Sequence, residues 1–177
     1  VSLTSDEAEN ELIVQCRRGD RTAQKKLYDR YKKAMFTKAF RIVNDLDHAH
    51  DVLQEAFLEV FKDIGQFQGN STLGAWIKTI VIRKALRKQR IEIKYDRLDD
   101  IQYSEPAEWP DTLTGEQLHK AIQALPAGYR AVFTLIEIEG YSHKEVSAFL
   151  QISEGTSKSQ LYHSKKMLQK MLKSIYP

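Results

Sequence analysis

Apolar residues recur at three- and four-residue intervals along most of this chain, the period that gathers side chains onto one face of an α-helix. Thr4 and Glu7 have capping-box spacing ahead of Leu12, Ile13 and Cys16, with Gly19 as a stop. Asp20 is placed to cap a second helix through about Val43, with Leu27, Tyr31, Met35, Ala39 and Ile42 on one stripe. After a polar turn at Asn44 to Asp47, the spacing of Val52, Ala56, Val60 and Ile64 predicts a third helix reaching about Phe67. The loop FQGNSTLG breaks the pattern, and Ser71 or Thr72 can cap a fourth helix through about Arg90.

The period then disappears. From Ile91 to Thr112 there are seven acidic residues against Lys94 and Arg97, with two prolines, a composition that reads as an acidic linker. Helical spacing resumes from about Gly115 to Ala124. Pro126 can open a further helix that Gly140 ends. Ser142 and Glu145 have capping-box spacing before Val146, Phe149 and Leu150, and Ser153 caps a final helix through about Lys173. The expectation is an all-α protein of two small helical domains, 1–92 and 112–177, joined by a linker over 93–111.

Composition narrows the class. A chain of 177 residues, 42% hydrophobic and 29% charged, can bury a core. One cysteine excludes an intrachain disulfide scaffold and fits a reducing compartment. No window approaches the ~20 apolar residues of a membrane span. The opening VSLTSDEAENEL is not a basic-then-apolar leader, so the expected location is the cytoplasm, without membrane insertion. The net charge of +3 is small, which makes the distribution of charge the better guide.

That distribution is uneven. The segment DLDHAHDVLQEAFLEVF carries Asp45, Asp47, Asp51, Glu55 and Glu59, whereas WIKTIVIRKALRKQR carries Lys78, Arg83, Lys84, Arg87, Lys88 and Arg90 with no acid. Packed together, the two helices predict one acidic and one basic surface. Beside the basic helix, Phe67, Asn70, Ser71, Thr72 and Trp76 combine aromatics with small polar groups, which can hold unstacked bases. Trp76 also continues the apolar surface of Ile77, Ile80 and Val81, so core and stacking roles both stand. His48 and His50 are two residues apart and do not converge on a helix.

Near the C-terminus, Ser142 to Leu150, the break QIS and the helix from Glu154 have helix-turn-helix spacing. Between Gly155 and Pro177 there are five lysines and no carboxylate. Thr156, Lys158, Ser159, Tyr162, His163, Lys165 and Lys166 offer cations for phosphates and polar groups for base edges. A solvated lysine-rich face is the plainer alternative. No phosphate-loop or hydrolase signature accompanies these features, so neither an enzyme nor a cofactor is expected.

Taken together, these segments resemble a group 4, or extracytoplasmic-function, sigma factor of bacterial RNA polymerase, especially the short forms of the Bacteroidetes. The resemblance covers nearly the whole chain: a sigma-2-like four-helix domain, an acidic linker and a sigma-4-like helix-turn-helix domain. DVLQEAFLEVF is similar to the family helix that docks on the clamp helices of the largest polymerase subunit, which implies polymerase contacts at Asp51, Gln54, Glu55 and Phe57, with Gln54 and Glu55 foremost and a mostly structural role for Phe57 left open. FQGNSTLGAWIKTIVIRKALRKQR resembles the element that captures a flipped base of the minus-10 strand. It implies a capture loop at Asn70, Ser71 and Thr72 and nucleic-acid contacts at Trp76, Arg83, Lys84, Arg87 and Lys88.

LPAGYRAVFTLIEIEGYSHKEVSAFLQISEGTSKSQLYHSKKML is similar to the minus-35-reading element, with Thr156, Lys158, Ser159, Tyr162, His163, Lys165 and Lys166 as the implied contacts. Four positions depart from the pattern. Arg83 stands for an asparagine, and Ser157 replaces a buried valine, which is expected to loosen packing. Gln160 and Ser164 are read as replacing arginines, which is expected to weaken phosphate anchoring. The implied function is promoter-specific transcription initiation with core polymerase (clamp helices and flap region), promoter DNA and an anti-sigma factor as partners. The alternatives are a stand-alone helix-turn-helix regulator, or a non-catalytic adaptor binding polymerase or an anti-sigma factor.

Overall fold

Side-chain caps set where most of the described helices begin. In the computed structural model, which describes residues 5–89 and 114–175, helix α1 spans Ser5–Arg17 and stops before Gly19, whose φ is +79°. Asp20 accepts a hydrogen bond from Ala23 N at 2.9 Å and opens α2, Arg21–Val43, which Asn44 ends in the left-handed region. Asp45 accepts from His48 N at 2.8 Å and opens α3, Leu46–Asp63. Thr72 Oγ1 accepts from Ala75 N at 3.2 Å at the start of α4, Leu73–Gln89. Each cap satisfies an N–H that the first helical turn leaves without an internal partner. Thr4, Arg90 and the expected linker 93–111 lie outside the described residues.

Two boundaries differ from the pattern of apolar spacing. Helix α3 tightens into a 3-10 turn at Ile64–Gln66 rather than continuing to Phe67. The apolar phase carries through, since Ile64 is buried, but the hydrogen bonding does not. In the C-terminal half, a single helix to Gly140 was expected. Helix α6, Ala127–Phe133, instead widens into a π turn at Thr134–Ile138, with Glu139 N donating to Thr134 O at 2.9 Å. The wider turn buries Thr134 and Leu135 and leaves Glu137 and Ile138 outside.

The protein is all-α, and its chain divides into two compact units, Val1–Lys88 and Gln89–Pro177. In the first, α2 and α3 pack along each other, and Ala49, Val52, Leu53, Ala56, Phe57 and Val60 form the buried face of α3. From α4, Ile77, Ile80, Val81 and Ala85 join this core. Cys16 is buried, and burial pushes its thiol above the usual range, which suits a packing role. Among the described residues, no helix is long and apolar enough to cross a membrane.

In the second unit, Thr114 and Gln117 form a reciprocal capping box that opens α5, Gly115–Ala124. The buried Arg130 donates from Nη1 to Leu125 O at 2.8 Å and to Gln123 O at 3.3 Å, so a cation occupies the carbonyl-rich end of α5. Ser142 and Glu145 form a second box opening α7, His143–Leu150. Gln151 then turns the chain at φ +56°, and Ser153 Oγ accepts from Thr156 N at 2.9 Å near the start of α8, Glu154–Ile175. Leu168 and Leu172 of α8 pack with Ala121, Ile122, Leu125 and Phe133. Leu168 is fully buried, so Leu168→Ala is expected to cost about 2–5 kcal/mol, read as an earlier urea midpoint for the C-terminal unit. A midpoint equal to the parent's would place Leu168 outside the supporting core.

Candidate nucleic-acid interface

Helix α3 presents two chemically distinct sides. Asp51, Gln54 and Glu55 are exposed on a stripe with i, i+3, i+4 spacing. Leu58, at i+7, extends the same stripe and is 71% exposed, a large apolar side chain in water at the edge of an acidic surface. Sequence reasoning missed Leu58, although its phase relative to Asp51 was available to find it. Phe57 points the other way. It is 2% exposed and meets the Tyr28 ring edge-on at 4.9 Å, which gives it a packing role in the core.

The bases of α4 do not form a surface separate from the acids. Lys84 Nζ pairs with Glu59 Oε2 at 2.7 Å, and Lys88 Nζ donates to Asp51 Oδ2 at 3.0 Å. The expected division into one acidic and one basic surface is therefore corrected: the two are stitched by ion pairs between α3 and α4. These pairs are at the surface, where such contacts contribute roughly 0–1 kcal/mol and are readily exchanged for other partners. Arg83 and Arg87 stand exposed on the same helix.

The loop ahead of α4 presents Asn70, Ser71 and Thr72 to solvent, after Gly69 turns the backbone at φ +74°. Asn70 Nδ2 donates to Gln68 Oε1 at 3.3 Å, and Thr72 Oγ1 already serves as the cap of α4. Trp76 is half-buried and lies against Phe67 with ring centroids 5.5 Å apart and a 50° tilt. It is neither wholly core nor free of packing. The arrangement offers an amide, hydroxyls and part of an aromatic face beside a cationic helix, the groups that hold a base out of its stack.

In the second unit, α8 divides its polar residues between two sides. Lys158, Tyr162, Lys165 and Lys166 share one outer stripe, with Lys166 Nζ 4.7 Å above the Tyr162 ring. Lys165 is held by Glu137 of the π turn at 2.8 Å. His163 is half-buried, with Tyr129 and Tyr162 as aromatic neighbours. Thr156 and Ser159 are buried. Gln160 and Ser164 are buried too, and Ser164 Oγ donates to Leu161 O at 2.7 Å.

Ser157 is fully buried, yet its hydroxyl is not orphaned: it lies 2.9 Å from His143 Nδ1 at the first turn of α7. The expected loosening at Ser157 is thereby offset, because a polar side chain from the bracing helix meets the polar side chain of α8. Burial, and then the nearby Lys158, hold the His143 pKa below its ordinary 6.5, with Lys165 acting in the same direction and Glu154 and Glu137 opposing. Among the described residues, no cluster of three or more His, Cys, Asp or Glu could hold a metal.

A depressed histidine pKa means that the folded unit binds fewer protons than the unfolded chain in the window just below pH 6.5. Stability is therefore expected to fall as pH drops through that window. Thermal unfolding of the full chain should show a steeper loss below pH 6.5 in the parent than in His143→Asn. Parallel profiles would remove His143 from the account.

Residues 27–91 match the family model described as Sigma-70 region 2, and residues 115–168 match that described as Sigma-70, region 4. The RNA polymerase sigma-H factor of Pseudomonas aeruginosa is 27% identical over 192 aligned positions, covering 98% of this chain and 98% of that protein. Among solved structures, CnrH in complex with the cytosolic domain of CnrY is similar in fold at a TM-score of 0.55 and 20% identity, over 92% of this chain and 96% of that one. The sigma factor RpoE in complex with the anti-sigma factor NepR, from Bartonella quintana, is similar at a TM-score of 0.53 and 24% identity, over 84% of this chain and 96% of that one.

Proposed function

We propose, for a chain that belongs to the sigma-70 family and carries its regions 2 and 4, that it is a group 4 sigma factor: a non-catalytic, cytoplasmic specificity subunit that brings core RNA polymerase to promoters. Residues 1–92 act as the polymerase-binding and minus-10 domain, 93–111 as the linker, and 112–177 as the minus-35 domain. The observation that carries this reading is the pairing, within one chain, of an exposed Asp51–Gln54–Glu55–Leu58 stripe and a cationic α8 stripe. A stand-alone DNA-binding regulator would need only the second.

The α3 stripe docks on the clamp helices of the largest subunit, with Leu58 as an apolar anchor among polar contacts. Asn70, Ser71 and Thr72, with the exposed part of Trp76, hold a flipped minus-10 base. Extrusion costs a few kcal/mol, which pocket contacts and stacking offset. Arg83, Lys84, Arg87 and Lys88 follow the phosphates, Lys84 and Lys88 by exchanging their carboxylate partners. Lys158, Tyr162, Lys165 and Lys166, with His163 beside them, face the minus-35 element, while the second unit also meets the flap region. An anti-sigma factor is a further partner, a reading supported by the complex of RpoE with NepR.

Two outcomes are expected. Replacing Gln54 and Glu55 with alanine should weaken core-polymerase binding at least tenfold in a titration, in the range of loss for interface residues worth more than ~1 kcal/mol. Unchanged affinity would remove the stripe as the docking surface. Replacing Lys158 and Lys166 with alanine should reduce the salt dependence of holoenzyme binding to promoter duplex by roughly one log-log unit per lost phosphate contact. An identical slope would take both lysines off the DNA.

A further inference from the structure

Helix α1 reaches one end of the exposed loop Gln68–Thr72 directly, through Arg17, and the other through Tyr31 of α2. At the entry, Arg17 donates from Nη2 to Phe67 O at 2.7 Å and from Nε to Ile64 O at 3.2 Å. Those carbonyls belong to the turn that ends α3, where helical carbonyls lack internal partners and a cation is favoured. Phe67 in turn packs on Trp76, so the guanidinium fixes the backbone beneath the aromatic pair.

At the exit, Gly74 in the first turn of α4 lies directly beneath the Tyr31 ring: a Cβ placed there would lie 3.1 Å from Tyr31 Cε1. The Tyr31 hydroxyl donates to Glu9 Oε1 at 2.9 Å, and Arg30 stands 3.5 Å from the same oxygen. Burial, and then the Glu9 bond, push the Tyr31 hydroxyl up to about 12, which keeps it a donor. Glu9 and Arg17 are about 12 Å apart along α1, a separation that spans the two loop ends.

The loop itself is weakly tied. Its internal side-chain contacts, Asn70 to Gln68 and Ser71 Oγ to Thr72 O, are both 3.3 Å long. A loop that must be ordered on binding loses about 1–2 kcal/mol per residue fixed, so anchoring its ends beforehand raises affinity without any new ligand contact. We propose that α1 is a positioning brace for single-stranded nucleic acid captured by this loop, with Arg17 as its principal residue and the Glu9–Tyr31 bond as its second anchor. This rests on reading Asn70–Thr72 as the base-holding loop.

The test uses the full chain in two settings. In the free protein, with Trp109→Phe leaving Trp76 as the single tryptophan, Arg17→Ala should shift Trp76 emission. In holoenzyme with core polymerase, Arg17→Ala should bind a labelled single-stranded oligonucleotide of randomised sequence about tenfold more weakly, with core affinity unchanged. Arg17→Lys, which keeps the charge but not the two-carbonyl fork, should recover part of the loss. Tyr31→Phe keeps the ring over Gly74 and removes the hydroxyl alone. It should weaken uptake about threefold, and it decides the matter if Arg17→Ala does not fold. Oligonucleotide uptake equal in the parent and in every variant that folds overturns the brace alone. A parent holoenzyme that takes up no oligonucleotide overturns the reading of the loop, and the brace with it.

Discussion

Burial of one face of α3 is the constraint from which the N-terminal unit follows. Ala49, Val52, Leu53, Ala56, Phe57 and Val60 are removed from water, which leaves Asp51, Gln54, Glu55 and Leu58 facing outward. A fully buried Val, Leu or Phe contributes about 1.5–3 kcal/mol, whereas a surface ion pair contributes roughly 0–1. Packing therefore decides how α3 lies, and the charges on its outer side are free to serve recognition. The same division holds for α8, where Leu168 and Leu172 fix the helix and Lys158, Tyr162 and Lys166 lie on its outer side.

The contacts between α3 and α4 give this division a consequence. Lys84–Glu59 and Lys88–Asp51 join residues proposed to touch DNA with residues on the side proposed to touch polymerase. Because each pair is weak, neither surface is locked. A polymerase cation taking Asp51, or a phosphate taking Lys88, replaces one partner with another at little cost. Within the C-terminal unit the corresponding link is polar rather than ionic: His143 and Ser157 connect the bracing helix to the helix it positions.

Short-range features were legible in the sequence. Asp20, Thr72, Ser142 and Ser153 cap through bonds to N–H groups three residues away, and the apolar period identified the buried side of α3. The π turn was not legible, because one widened turn leaves an apolar run such as FTLIEI unchanged. The inner side of α8 was also hidden. Thr156, Ser159, Gln160 and Ser164 are polar and read as surface, yet all are buried, and the partner of the buried Ser157 lies fourteen residues away. The Arg17 contacts, which bridge 47 and 50 residues, had no local signal. Long-range partners of polar groups were thus what residue spacing could not supply.

The central claim is that one polypeptide holds the polymerase by its α3 stripe while its two cationic helices select the template. Run-off transcription tests this most directly, using core polymerase, this chain and a library of genomic fragments with start sites mapped. The account predicts discrete start sites that appear only when the chain is added and share elements at two fixed positions upstream. A chain that joins core polymerase yet leaves the start sites as scattered as those of core alone would contradict it.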